Sequence, residues 1–219
     1  MGTPKKKTKA KREKLSREQV LSSAVRFADK NGIDSLSMRR LGNELGVEAM
    51  SLYNHIENKD DLLDAMVEIV VARMEAPKLR GDWREAMRSR AHSAHGVLLA
   101  HPWATMLLVS RANVGPNMLR YVEATVGCLV QAGFTYEMAD QAWNAIDSHV
   151  FGFTLQELNF PFEPSEYGAV AKQFLPMLPA AEYPHMRALS ELVIEGRHDG
   201  LQDFGFGLEI LLAGLEAMR

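Results

Sequence analysis

Ser37-Met38-Arg39-Arg40-Leu41-Gly42-Asn43-Glu44-Leu45-Gly46-Val47-Glu48-Ala49-Met50-Ser51-Leu52-Tyr53-Asn54-His55 is the stretch on which the reading of the fold turns. Met38, Leu41 and Leu45 recur at helical spacing behind Ser37, a residue type that caps helix N-termini. Gly46 supplies a left-handed stop and Val47 plugs the gap after it. Leu52 and Ile56 then anchor a further short helix over about Glu48 to Asn54, with Tyr53 also expected to turn toward the core. Two short helices joined this tightly form a helix-turn-helix. The second helix of such a motif presents small or polar side chains to the major groove, where each base pair is distinguishable. Here the outward positions are Glu48, Ala49, Ser51, Asn54 and His55, with Met50 placed to touch a thymine methyl. Arg39, Arg40 and Lys59 flank them where phosphates would lie, and the Tyr53 hydroxyl is a further phosphate donor.

Outward from this stretch the chain reads as helical nearly throughout, an all-α protein with a three-helix head and a larger helical body. Ser16-Arg17-Glu18-Gln19 is a capping box that opens a helix burying Val20, Ala24, Phe27 and Ala28, stopped by Gly32. Asn58 caps a fourth helix that carries Leu62, Met66, Ile69 and Arg73 and stops before Pro77. Breakers and caps then mark six more helices, the last over about Gln202 to Met218, and no alternating strand pattern is found. The stretch 161–182, with Pro161, Pro164, Pro176 and Pro179, is expected to be an irregular loop. The domains so read are a basic arm at 1–14, a helix-turn-helix domain at 15–60 and a helical effector-binding and dimerisation domain at 61–219.

Charge supports the division. Net charge is −3, which alone argues against nucleic acid, but residues 1–60 carry 13 Lys/Arg against 8 Asp/Glu while the remainder is acidic. A basic N-terminal module thus precedes a body that repels polyanions. The lysine run at 5–14 is either a solvated tail or an arm that follows DNA phosphates. Cys128 is the only cysteine, so neither an intrachain disulfide nor a cysteine zinc site can form. With no membrane-length apolar run and no signal-peptide pattern, a cytoplasmic location is expected. His92-x-x-His95 places two imidazoles near one helix face, but two ligands without a third do not make a metal site, and no metal or cofactor is expected. No nucleophile–base order or phosphate-binding glycine loop points to an enzyme.

The run from Ile33 through Gly42, Leu45-Gly46-Val47, Ser51 to Ile56 and Asn58 to Leu63 resembles the N-terminal signature of the TetR family over roughly residues 16–65. The run Phe204 to Glu216 is similar to the end of that family's tetracycline-repressor branch. The resemblance implies an all-α homodimer with DNA-binding heads and a ligand-binding body. By position it puts DNA contacts at Ser37, Arg39, Arg40, Ala49, Met50, Ser51, Tyr53, Asn54, His55 and Lys59. Ala49-Met50 stands where the tetracycline repressors have a more polar pair, so a different operator is expected. Leu108 or Val109 stands where they have a metal-chelating histidine, so a different effector is expected.

Gly207, Leu211, Gly214 and Leu215 fall at i, i+4, i+7 and i+8, a small-residue stripe that suits either a helix buried in its own subunit or a dimer seam. The resemblance favours the seam. It also implies that helices four to eight surround the effector, with Arg90, Met106, Leu108, Arg111, Trp143, Asp147 and Phe151 as candidates. Of these, Asp147 and Arg111 are charges that must be paired or face a polar ligand if buried. The function expected is a repressor released from a palindromic operator by a small, largely apolar organic effector. The alternative is a helical ligand- or partner-binding protein that no longer reads DNA sequence.

Overall fold

Five of the helix starts, those at Arg17, Met38, Lys59, Tyr136 and Phe204, are set by a short polar side chain that takes up a free backbone N–H. Ser16 and Gln19 close a capping box on α1 (Arg17–Asn31), and Ser37 caps α2 (Met38–Leu45). Asn58 accepts from Asp61 N at the start of α4 (Lys59–Val71), which follows α3 (Ala49–Leu52). The computed structural model describes residues 15–78, 81–198 and 203–219, so the basic run at 1–14 lies outside the described residues. Further along the chain come α5 (Trp83–Ala100), α6 (Pro102–Ser110), α7 (Pro116–Gln131) and α8 (Tyr136–Asn159). The last three are α9 (Tyr167–Phe174), α10 (Pro184–Ile194) and α11 (Phe204–Met218). Among the described residues there is no strand, and the all-α class read from the spacing holds.

The chain divides into two units. The first comprises α1 to α4 together with Ala100–Arg120, which carries α6 and the first turn of α7. Its core is Val20, Ala24, Leu41, Leu52, Leu62 and Met66, none of them exposed, and α6 packs on both α1 and α4. The second comprises Met74–Leu99 and Tyr121–Arg219, with Met87, Leu98, Leu129, Ile146, Leu208 and Leu212 buried and α11 packed along α8.

Four local expectations change. Helix α3 is a single turn, and Tyr53 is 46% exposed instead of turned inward, because Leu52 and Ile56 already fill the inward side. Helix α4 stops before Pro77 as expected, but it ends at Val71, so Arg73, expected on it, lies in the turn that follows. The stretch 161–182 is not an irregular loop: it holds α9 between 3-10 turns at Pro164–Glu166 and Leu175–Met177. Pro164 and Pro176 sit in the first turns of those elements, where a missing N–H costs nothing.

The fourth change concerns α11. Leu215 is buried within this chain, and a Cβ on Gly207 would meet the His149 ring at 2.5 Å, so two members of the proposed seam face their own subunit. Leu211 is half-buried and Gly214 is open. The inward stripe is Phe204, Leu208, Leu212 and Leu215, which rotates the outward apolar residues onto Phe206 and Ile210, 68% and 58% exposed.

Candidate DNA-binding head and effector site

The geometry of the helix-turn-helix rests on one close backbone approach. Gly42 is buried, and a Cβ there would lie 2.9 Å from the Val47 carbonyl and 3.2 Å from Ala49 N. Val47 N in turn donates to the Gly42 carbonyl at 2.9 Å. Gly46, at φ 65 and ψ 34, makes the left-handed turn between the helices. With Leu41, Leu52 and Ile56 filling the inside, α3 turns Met50 (74% exposed), Tyr53 and Asn54 fully outward, and leaves Ala49, Ser51 and His55 half-buried. Arg39, Arg40 and Lys59 are exposed, as is Ser37, whose hydroxyl accepts from Arg40 N at 3.3 Å. All the sequence-predicted DNA contacts are thus exposed or half-buried; those up to His55 belong to α2, α3 and their flanks, and Lys59 stands at the first turn of α4.

Arg17 was not among the sequence candidates, yet it braces this surface. Its guanidinium donates to the His55 carbonyl at 2.6 Å and pairs with Asp61 at 2.8 Å, tying α1 to the end of the motif and to α4. The Arg17 hydrogen bond holds the Asp61 carboxyl below its ordinary range.

Three polar contacts link α4 and α1 to α6 and the start of α7. Arg111 pairs with Asp60 and Asp64 at 3.0 and 2.8 Å. The Glu68 carboxylate accepts from Asn117 N and Met118 N, occupying the free N–H groups of the first turn of α7. Arg73 donates to His101 Nε2, which therefore carries a lone pair there, so His101 uses its Nδ1 proton on Asp29 at 2.7 Å. Trp103 Nε1 donates to the same Asp29 oxygen.

In the second unit, three effector candidates meet directly. Arg90 is 1% exposed; its Nη1 donates to Asp147 at 2.7 Å and its Nε to the Thr125 hydroxyl at 2.9 Å. Trp143 Nε1 donates to the other Asp147 oxygen at 2.6 Å. Tyr121 lies under the guanidinium, 4.6 Å from carbon to ring centroid. Burial opposes the Arg90 charge, and Asp147 outweighs it, so the group stays cationic. The other candidates are placed otherwise. Arg111 is engaged by α4, Met106 is exposed, and Leu108 and Phe151 are half-buried. Tyr121 and Thr125 were missed because a Tyr and a Thr four residues apart on an apolar helix look like ordinary core, and nothing local reveals the arginine they meet.

His95 and Glu157 also pair, at 3.1 Å, with His95 stacked on Phe204 and bonded to Thr154. Burial lowers the pKa of His95 against the pull of Glu157. Among the described residues no group of three or more His, Cys, Asp or Glu is arranged to hold a metal ion.

A helix-turn-helix with an outward polar and basic face, in a chain with a second helical unit, defines a DNA-binding regulator. Residues 20–66 match the model for bacterial regulatory proteins of the tetR family, and residues 76–219 match the tetracyclin repressor-like C-terminal domain. A transcriptional repressor of Streptomyces coeruleorubidus, DrrR1, is 33% identical over 93% of this chain and 78% of its own length. The class C tetracycline repressor of Escherichia coli is 29% identical over 94% and 93%. The Streptomyces coelicolor protein ActR in complex with actinorhodin superposes with a TM-score of 0.81 at 29% identity, covering 94% of this chain and 98% of that one. The chain belongs to the TetR family, and it is a ligand-responsive, DNA-binding transcriptional regulator and not an enzyme.

Proposed function

We propose that this protein is a homodimeric repressor that leaves a palindromic operator when a small, largely apolar organic effector binds its body. The carrying observation is the recognition surface built on the Gly42–Val47 approach, which presents Met50, Tyr53 and Asn54 with Arg39 and Arg40 beside them. In this reading residues 15–60 read DNA and residues 61–219 bind effector and dimerise. Ser37, Arg39, Arg40, Tyr53 and Lys59 position the head on phosphates, while Ala49, Met50, Ser51, Asn54 and His55 read base edges. A protein with such outward groups on a symmetric dimer contacts two half-sites one helical turn apart, about 34 Å. The ActR complex and the repressor names of the relatives support the ligand-released mode.

The contacts of Arg111, Glu68 and His101 suit the switch. They make α6 and the first turn of α7 move with α4, so a displacement of α6 reorients the recognition helix. Self-association is assigned to the outward face of α11 at Phe206 and Ile210, flanked by Leu211 and Gly214. Among the described residues no helix is long and apolar enough to cross a membrane, which fits the cytoplasmic location proposed.

The test is a mobility-shift titration on the DNA flanking the protein's own coding region, at several salt concentrations. Palindrome-dependent, salt-sensitive binding is expected, and Arg39→Ala should weaken it about tenfold and flatten the salt slope by roughly one. Binding indifferent to sequence would overturn the repressor reading.

A further inference from the structure

We propose that His101 is a positioning residue for operator binding that works only as a neutral imidazole, so that a proton on its ring frees the end of α4 from α6 and weakens the hold on DNA. The proposal rests on the repressor reading above and adds a signal to it, acid. Every group it needs lies within the first unit. His101 directly precedes α6 and is 5% exposed, so its ring meets protein and not solvent. The charged groups that face it are Asp29 from α1 and Arg73 from the turn after α4; α6 itself contains no charged residue. Asp29 Oδ1 lies 2.7 Å from Nδ1, and Arg73 Nη1 reaches Nε2. A guanidinium offers only hydrogens and a carboxylate only lone pairs, so one state of the ring satisfies both: neutral, with its hydrogen on Nδ1. Trp103 Nε1 donates to the same Asp29 oxygen at 2.7 Å and holds that carboxylate in place.

A second proton has only Nε2 to go to, and there it meets Arg73. Two donors and two positive charges then face each other, so the Arg73 contact is lost, while the contact with Asp29 becomes an ion pair and tightens. The ring changes from joining α1, α6 and the end of α4 to joining α1 and α6 alone. His95 is wired the other way: its Nε2 faces the Glu157 carboxylate at 3.1 Å, which accepts a proton there without moving. The consequence of the His101 arrangement falls on the head. A dimer binds its operator with both recognition helices held at one spacing, and a loosened end of α4 must be ordered again at each binding event. His55, half-buried on the recognition surface, sets the opposite sign, because a positive charge gained there favours phosphates. A loss of affinity in acid therefore singles out His101.

The test titrates the full chain against the DNA flanking its own coding region at about pH 8 and about pH 5, the interval in which histidine ordinarily changes charge, at constant ionic strength. Helicity is followed on the same samples. Affinity is expected to fall at least about tenfold in acid with helicity intact. His101→Gln keeps an acceptor and a donor but takes up no proton, and Arg73→Gln removes the cation that a protonated ring would meet. Each should lose less than about twofold between the two conditions, and either one that folds is sufficient. Ring-nitrogen NMR spectra taken without DNA should show the His101 proton on Nδ1 at the higher pH. Affinity that is unchanged or rises in acid, a loss that tracks helicity, a response that survives in a folded variant, or a neutral ring protonated on Nε2 would each overturn the proposal. Absent binding at the higher pH defeats the repressor reading instead. The tie between His101 and Arg73 is then decided without DNA, by the ring spectrum and by whether hydrogen exchange at the end of α4 accelerates in acid beyond that of His101→Gln.

Discussion

Residues 38–56 and residues 160–198 are both built from short helices, but different forces hold them. The first stretch spends few residues on helix and seals them with burial: Leu41, Leu52 and Ile56 are inside, and the Gly42–Val47 approach admits no side chain. In the second, neither α9 nor α10 buries a residue, and Met177, Met186 and Leu189 are all more than half exposed. The contacts of the second stretch are local: α9 and α10 pack on each other, Phe160 meets Phe162 and Tyr167, and Arg187 pairs with Glu191 at 2.9 Å and donates to the Leu178 carbonyl at 3.3 Å. Helices this short are marginal without an apolar face to bury. The head therefore keeps its shape by its own core, as a rigid reader of DNA must, whereas the 160–198 stretch draws little stability from the rest of its subunit.

The sharpest break of this comparison is a pair of truncations. Leu52→Ala should cost about 2–5 kcal/mol of head stability and abolish operator binding, whereas Leu189→Ala should change stability by less than about 0.5 kcal/mol. Urea titration with hydrogen exchange resolved by segment reads both; equal costs would erase the distinction.

Next in size is Ile210→Asp, on the outward face of α11. It should weaken self-association about thirtyfold by sedimentation while leaving helicity intact. An unchanged dimer would move the proposed seam elsewhere, and the exposed residues of α10 would become the next place to look.

The smallest effect sharpens the head alone. The Asp61 carboxyl is held below its ordinary value by Arg17, so the folded head favours its ionised form. The stability this adds is present in full above the unfolded carboxylate value, and it is lost as pH falls through the lowered folded value. Head stability should therefore drop on going from about pH 5 to about pH 3, and Asp61→Asn should drop less over the same range. Parallel pH curves would show that the pair contributes nothing to folding.

Much of the head was legible because its determinants are local. A capping serine, three apolar residues at helical spacing and a glycine at the turn suffice to specify two helices and the angle between them. Tyr53 was placed on the wrong side because α3 is a single turn, too short for periodicity to say which neighbours fill the interior first. The α11 stripe was read with a correct period and a rotated phase: glycine spacing marks close approach, but not whether His149 or a second subunit approaches. Asp147 stood out as a charge needing a partner, yet Arg90, Thr125 and Tyr121 come from two other helices, and no spacing within one helix brings them together.

The sequence by itself determined the helical class and the helix-turn-helix of the head, because caps, turns and apolar periods act over three to eight neighbouring residues. Only the tertiary structure decided which charges are paired. Arg111 went to Asp60 and Asp64 of α4, and Arg90 went to Asp147. The reason is physical: a charge chooses its partner by distance and desolvation across packed helices, and both exist only once the chain has folded.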